Sequence, residues 1–134
     1  MRALEAASKD NLGFLAPLHN ARFVYVTSFD GSEYSHNPLP EDRRAIDKVQ
    51  GALAQDSHYT IVYRAEQADM IVAVESRPSE DILAVYDRRS WRDGNYLWRS
   101  TEKAGFADPD QPLVKQLQDV LQKVNGTQID KVPM

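Results

Sequence analysis

The sequence contains no cysteine, which excludes disulfide bonds, thiolate metal sites and cysteine nucleophiles together. It also has no apolar run approaching the ~18 residues that a membrane-spanning helix needs. Positive charge is in the minority, because 16 lysines and arginines face 20 aspartates and glutamates, leaving a formal net charge of −4. A chain with that balance does not attract phosphate backbones as a whole, so nucleic-acid binding would need a strong local basic patch.

Motifs for enzyme chemistry are also missing. The three histidines lie far apart, without the spacing of a metal-binding pair: His19, His36 and His58. There is no G-x-S-x-G nucleophile elbow and no glycine-rich phosphate loop. We therefore predict no catalytic residue, no metal site and no cofactor, and an enzyme with an unrecognised carboxylate site stays as an alternative. Glu75 and Asp87 are predicted to be strand-end groups that bond to backbone or arginine.

What the sequence does contain is the composition of one globular domain. Its 134 residues are 42% hydrophobic and 27% charged. We predict an N-terminal arm over 1–20, a single α/β domain over 21–126 and a C-terminal tail over 127–134. The first ten residues, MRALEAASKD, lack the apolar stretch of a signal peptide.

Hydrophobic periodicity divides this domain into strands and helices. Segments rich in β-branched and aromatic residues predict five strands, over 22–29, 59–63, 70–74, 81–87 and 95–100. Apolar residues at helical spacing predict two helices, over 41–54 and 112–124. Gly126 is expected to end the second helix. Asp42 is expected on a solvated, mixed-charge face of the first helix, with Arg43 and Arg44.

The order of these elements predicts an α/β (α+β) fold. It is a two-layer sandwich in which two helices cover one face of a mixed five-stranded sheet, in the order β-α-β-β-β-β-α. The first strand–helix–strand unit should be a right-handed crossover, which makes the first two strands parallel. The later connections are short, so strands two to five should form an antiparallel meander.

Residues 81–100 hold both tryptophans and four arginines of the chain. Asp93-Gly94 predicts a two-residue hairpin turn, which would place Trp91 opposite Tyr96 and Arg89 opposite Trp98. One interpretation is a hairpin whose base packs in the sheet, and we prefer it because three aspartates nearly balance the arginines. The alternative is a nucleic-acid or small-ligand surface with four candidate residues: Arg89, Trp91, Arg92 and Tyr96.

Several phrases of the sequence resemble a known family. They are the strand RFVYVTSF, the pair Ala68-Asp69 before the apolar segment 70–74, and VYDRRS followed by YLWRS. Over residues 21–125 this pattern is similar to bacterial envelope domains of the TolB amino-terminal and CsgG type and to related lipoprotein domains. The chain departs from that pattern in its lengthened turn, RRSWRDGN, and in lacking a lipid-bearing cysteine.

The resemblance implies a non-enzymatic domain of the periplasm or envelope, with the cytoplasm as the alternative location. It implies binding to a protein partner or self-association, through an exposed sheet edge or the tip of the predicted hairpin. No nucleic acid is expected as a partner. Membrane contact would require a lipid anchor that these residues do not contain.

Overall fold

The computed structural model describes residues 12–28 and 40–131, and it describes side chains within 15–28 and 40–125. The strands are β1 (Phe23–Ser28), β2 (Thr60–Val62), β3 (Met70–Ser76), β4 (Asp81–Asp87) and β5 (Trp98–Glu102). The helices are α1 (Pro40–Ala54), α2 (Arg88–Asp93) and α3 (Pro112–Lys131), with 3-10 segments at Leu12–Leu18 and Ala65–Gln67. The five strands and both long helices are therefore present. Phe29 and residues 1–11 of the predicted arm lie outside the described residues.

The five strands form one mixed sheet in the order β2-β1-β3-β4-β5. β1 runs parallel to both β2 and β3, and β4 runs antiparallel to both β3 and β5. The parallel pairing of the first two strands is confirmed, but the predicted antiparallel pairing of the second and third strands is wrong, because β1 lies between them.

Register explains how a short connection joins two parallel strands here. Val62, at the end of β2, is level with Tyr25, and Met70, at the start of β3, is level with Val24. Because β2 has only three residues, the end of β2 and the start of β3 lie at nearly the same height along β1. The connection therefore has to cross β1 but does not have to run back along the length of the strand. The carboxylate of Asp69 then accepts hydrogen bonds from the backbone N–H groups of Arg22 and Phe23, both at 3.1 Å, which fixes β3 beside β1.

Both long helices pack on the same face of the sheet, as predicted. Their buried side chains join the alternate residues of β1, β3 and β4 in one core, formed mainly by Val24, Val26, Ala45, Val49, Leu53, Met70, Val72, Val74, Leu83, Val85, Leu113, Leu117 and Leu121. Leu15 and Leu18 of the first 3-10 segment enter this core too. At roughly 1.5–3 kcal/mol for each buried aliphatic side chain, this cluster is the main stabilising contribution to the fold.

The opposite face of the sheet carries a smaller apolar cluster. Its buried members are Ala68, Ile71, Ala73, Ala84 and Tyr86, and the partly buried Tyr25, Val62 and Trp91 pack against them. The central strands therefore bury side chains on both faces, which explains why their sequences are apolar at consecutive positions.

The second long helix extends further than its sequence predicts. α3 continues to Lys131, so the expectation that Gly126 ends it is wrong. A glycine inside a helix costs only about 1 kcal/mol relative to alanine, which the continuing hydrogen-bond ladder can offset. None of the helices within the described residues is both long enough and apolar enough to cross a membrane.

The predicted Asp93-Gly94 hairpin turn is also wrong, because residues 88–93 form α2. β4 and β5 do pair antiparallel, with Val85 level with Trp98, but a whole helix connects them. The positive φ of 77° that glycine readily adopts at Gly94 ends this helix and does not form a hairpin turn. Consequently neither the pairing of Trp91 with Tyr96 nor that of Arg89 with Trp98 exists.

Candidate anion-binding site

The short helix α2 is fixed at both ends by local hydrogen bonds. At its start, the Asp87 carboxylate accepts from the Ser90 backbone N–H at 2.8 Å, and the Ser90 hydroxyl accepts from the Asp87 N–H at 3.0 Å. This reciprocal arrangement is a capping box, which satisfies two backbone donors of the first turn. At its end, the Gly94 N–H donates to carbonyls of the last turn. A six-residue helix is thereby held in one position on the sheet.

Trp91 determines which side of α2 faces the sheet. Its ring packs edge-to-face on Tyr86, with centroids 5.0 Å apart and ring planes at 85°. Such pairs contribute about 0.5–1.5 kcal/mol beyond their area burial. The tryptophan is thus part of the second apolar cluster, and its partly buried ring is held against Tyr86.

Beside Trp91, α2 contributes three arginines to an open cleft of about 460 Å³. The other walls are the turn that follows the first 3-10 segment and the start of β3. The full lining is Pro17, His19, Asn20, Ala21, Ala68, Asp69, Asp87, Arg88, Arg89 and Arg92. Arg88 and Arg92 are four residues apart and Arg89 and Arg92 three apart, so the helix geometry places their side chains close together.

Some charged side chains of this cleft are engaged in hydrogen bonds and others are not. Both carboxylates accept hydrogen bonds from backbone N–H groups, Asp69 from those of Arg22 and Phe23 and Asp87 from that of Ser90. The Arg88 guanidinium donates to the Ala68 carbonyl at 3.3 and 3.2 Å. Arg89 and Arg92 are both exposed, and within the described part of the chain neither forms a hydrogen bond or an ion pair. Two guanidinium groups with five N–H donors each therefore face the solvent at one site.

The structure places two of the four candidate residues together and separates the other two. Arg89 and Arg92 share the cleft, Trp91 packs on Tyr86, and Tyr96 is 53% exposed without lining the cleft. Sequence reasoning missed Arg88 and His19 as cleft residues. The spacing of Asp87 and Ser90 was the available signal for Arg88, because it is the spacing of a capping box and predicts that a helix begins there. In a helix, the arginines that follow Asp87 lie close together.

The prominent carboxylates have structural roles. Glu75 forms an ion pair with Arg77 at 2.7 Å, and Asp87 caps α2, as the strand-end interpretation predicts. Asp42 is completely buried, so its predicted place on a solvated face is wrong. It accepts a hydrogen bond of 2.8 Å from the Ser76 backbone N–H, because the first turn of α1 lies against the end of β3.

Among the described residues, no group of three or more histidine, aspartate or glutamate side chains could hold a metal ion. No protein-family model matches the chain, and no curated protein matches it either. The candidate site therefore stands on its own geometry, which offers hydrogen-bond donors and positive charge to a carboxylate or another anion.

Proposed function

We propose that the protein is a non-enzymatic interaction module that binds an acidic segment of a partner protein through the cleft beside α2. One observation carries the proposal: Arg89 and Arg92 lie together and exposed, and among the described residues neither forms an ion pair, while the cleft's two carboxylates accept hydrogen bonds from backbone N–H groups. A guanidinium binds a carboxylate through two parallel hydrogen bonds, and two adjacent guanidiniums suit a pair of acidic side chains.

The chemistry of the surroundings favours an acidic protein over a nucleic acid. The chain carries a net charge of −4, which repels an extended phosphate backbone but hinders a short acidic segment less. A single-strand binder would also need exposed rings beside the arginines, and Trp91 is engaged with Tyr86. Nucleic-acid binding is the competing function that the experiment has to separate.

The test compares two pairs of arginines with the same charge change. Arg89→Gln/Arg92→Gln removes the cleft charges, and Arg43→Gln/Arg44→Gln removes two exposed arginines of α1 as the control. Binding of a fluorescent oligo-glutamate peptide is measured by anisotropy at low salt, where ionic attraction is screened least. We expect the wild type and the α1 variant to bind the peptide, the cleft variant to lose binding, and added salt to weaken it.

A fluorescent oligothymidylate of similar charge is titrated in parallel. Tighter binding of the oligonucleotide that depends on Arg89 and Arg92 would replace the proposal with a nucleic-acid function. Equal losses in the two double variants would mean that net charge, and not the cleft, attracts the peptide. Absence of peptide binding by the wild type would refute the proposal directly.

The resemblance to envelope domains supports a location in the periplasm or envelope and a second mode of assembly. Among the strands that the structure describes, β5 lies at an edge of the sheet, with β4 as its neighbour. An edge strand offers unpaired backbone groups to another strand, so we propose self-association through β5. Light scattering over rising concentration should detect a dimer or larger species, and a monomer at all concentrations would contradict this mode. Fractionation of cells that make the full gene product tests the location.

A further inference from the structure

A groove runs along the solvent side of the seam between α1 and α3. It consists of two adjoining hollows of about 540 and 350 Å³, which share Ala52, Gln55 and Gln118 in their walls. Its residues recur at helical spacing on both helices, so the groove follows the whole contact between them. The larger hollow has the size of small-ligand pockets in general.

Carboxamide side chains dominate the polar wall of the larger hollow. They are Gln55, Gln118, Gln122 and Asn125, above an apolar floor that includes the buried Leu53 and Leu121. Each carboxamide offers two N–H donors and a carbonyl acceptor without carrying charge. The two aspartates of the wall, Asp56 and Asp119, disfavour an anionic ligand, and the larger hollow contains no lysine or arginine.

One end of the larger hollow holds polar groups with unused hydrogen-bonding capacity. The Nε2 atom of His58 is shielded from solvent and has no hydrogen-bond partner among the described residues. The neighbouring Tyr59 ring lies edge-on to the His58 ring at 4.8 Å, and the Tyr59 hydroxyl accepts from Asn125 Nδ2 at 3.0 Å. Because that hydroxyl acts as an acceptor, its own proton remains for donation. Burial raises the pKa of the Tyr59 hydroxyl above its ordinary value.

Gly51 lines the smaller hollow, and a Cβ atom added there would meet nothing within 4 Å. Close helix packing therefore does not account for a glycine in the middle of α1.

From this arrangement we propose that the groove between α1 and α3 binds a neutral, hydroxyl-rich ligand, namely a short saccharide, with its larger hollow as the main site. Hydroxyl groups donate and accept at once, as carboxamides do, so a sugar can bond to both halves of the Gln55, Gln118 and Gln122 amides. The apolar floor suits the carbon face of a sugar ring. The site is separate from the cationic cleft and does not depend on the function proposed for it.

The test is an NMR titration of the uniformly ¹⁵N-labelled protein with maltotriose and with chitotriose. We expect saturable shifts of the Gln118, Gln122 and Asn125 side-chain amides, with a dissociation constant of about 1 mM, which is ordinary for a small neutral ligand. Gln118→Ala/Gln122→Ala should weaken binding about tenfold or more. Gln67→Ala, an exposed amide in the second 3-10 segment outside the groove, is the control and should bind as the wild type does.

Three outcomes would overturn the proposal. The first is the lack of saturable shifts with either sugar at concentrations of roughly 10 mM, ten times the expected constant. The second is binding that survives the double substitution. The third is groove shifts that follow protein concentration and not sugar, because a second copy of the chain would then cover the seam. Circular dichroism of each variant separates lost binding from lost folding.

Discussion

The buried carboxylate of Asp42 accepts a hydrogen bond from the backbone N–H of Ser76, 34 residues further along the chain. The Ser76 hydroxyl bonds at 2.8 Å to Asp81, whose other oxygen accepts from the Phe106 N–H at 3.0 Å. Ser76 thus lies between two buried carboxylates. These bonds join the first turn of α1, the β3–β4 connection and the segment before α3 at one end of the sheet.

Asp42→Ala should destabilise the fold by about 2 kcal/mol, because it leaves a buried N–H without its charged acceptor. Glu41→Ala, its exposed neighbour in the first turn of α1, is the control and should cost no more than the roughly 0.3–1 kcal/mol of a charge at a helix end. Urea unfolding of both variants measures the difference. Equal losses would mean that helix-end charge, and not the bond to Ser76, explains the role of Asp42.

The contact between Tyr86 and Trp91 should appear as a coupling energy. In a double-mutant cycle with Tyr86→Leu and Trp91→Leu, we expect the effects on the free energy of unfolding to deviate from additivity by about 0.5–1.5 kcal/mol. Tyr63, 73% exposed and beyond β2 at the far edge of the sheet, provides the control cycle. Tyr63→Leu and Trp91→Leu should add within about 0.5 kcal/mol. Additivity in both cycles would contradict the packing that orients α2.

Two glycine-to-alanine substitutions should have opposite signs. Gly51→Ala should stabilise the protein by about 0.5–1 kcal/mol, because alanine favours a helix interior and its methyl group meets no neighbour. Gly94→Ala should destabilise it by about 1–2 kcal/mol, because a Cβ atom is strained at a φ of 77°. Thermal unfolding measures both changes. Destabilisation by Gly51→Ala would show that the seam cannot accept a methyl group.

The ion pair between Lys48 and Asp108 should give a pH-dependent contribution to stability. The hydrogen bond from Lys48, 2.9 Å away, and then that from Gln111, hold the pKa of Asp108 below its usual value. A carboxyl with a lowered folded-state pKa stabilises the fold above its unfolded-state pKa and loses that effect as the pH falls through the folded-state value. The stability difference between wild type and Asp108→Asn should therefore be full at neutral pH and disappear in acid.

Added salt should reduce this difference, since both groups are accessible to solvent and their attraction is screened. Asp110→Asn removes an exposed carboxylate two residues away and is the control, with no comparable pH-dependent difference expected. Urea unfolding at a series of pH values measures both variants. A difference for Asp108→Asn that persists in acid would assign its effect to packing and not to charge.

The candidate site was only half predictable. The local density of positive charge predicts Arg89 and Arg92 as candidate residues, and the structure places both in the cleft. Grouping them with Trp91 and Tyr96 assumed a hairpin, and Gly94 is compatible with either structure because positive φ serves both a tight turn and a helix end. The Asp87–Ser90 capping box and the packing of Trp91 on Tyr86 stabilise the helix in place of the hairpin. His19 enters the cleft from a distant part of the chain, which no local pattern reveals.

The sequence by itself determined the α/β class, the position of both long helices and their placement on one face, because hydrophobic periodicity is a local property that decides which side of an element is buried. Only the tertiary structure decided that β1 lies between β2 and β3, through the bonds of Asp69 to the β1 backbone. It alone decided that Asp42 is buried and that the arginines of α2 line the same cleft as His19. These features depend on contacts between residues far apart in sequence, and such contacts exist only once the chain has folded.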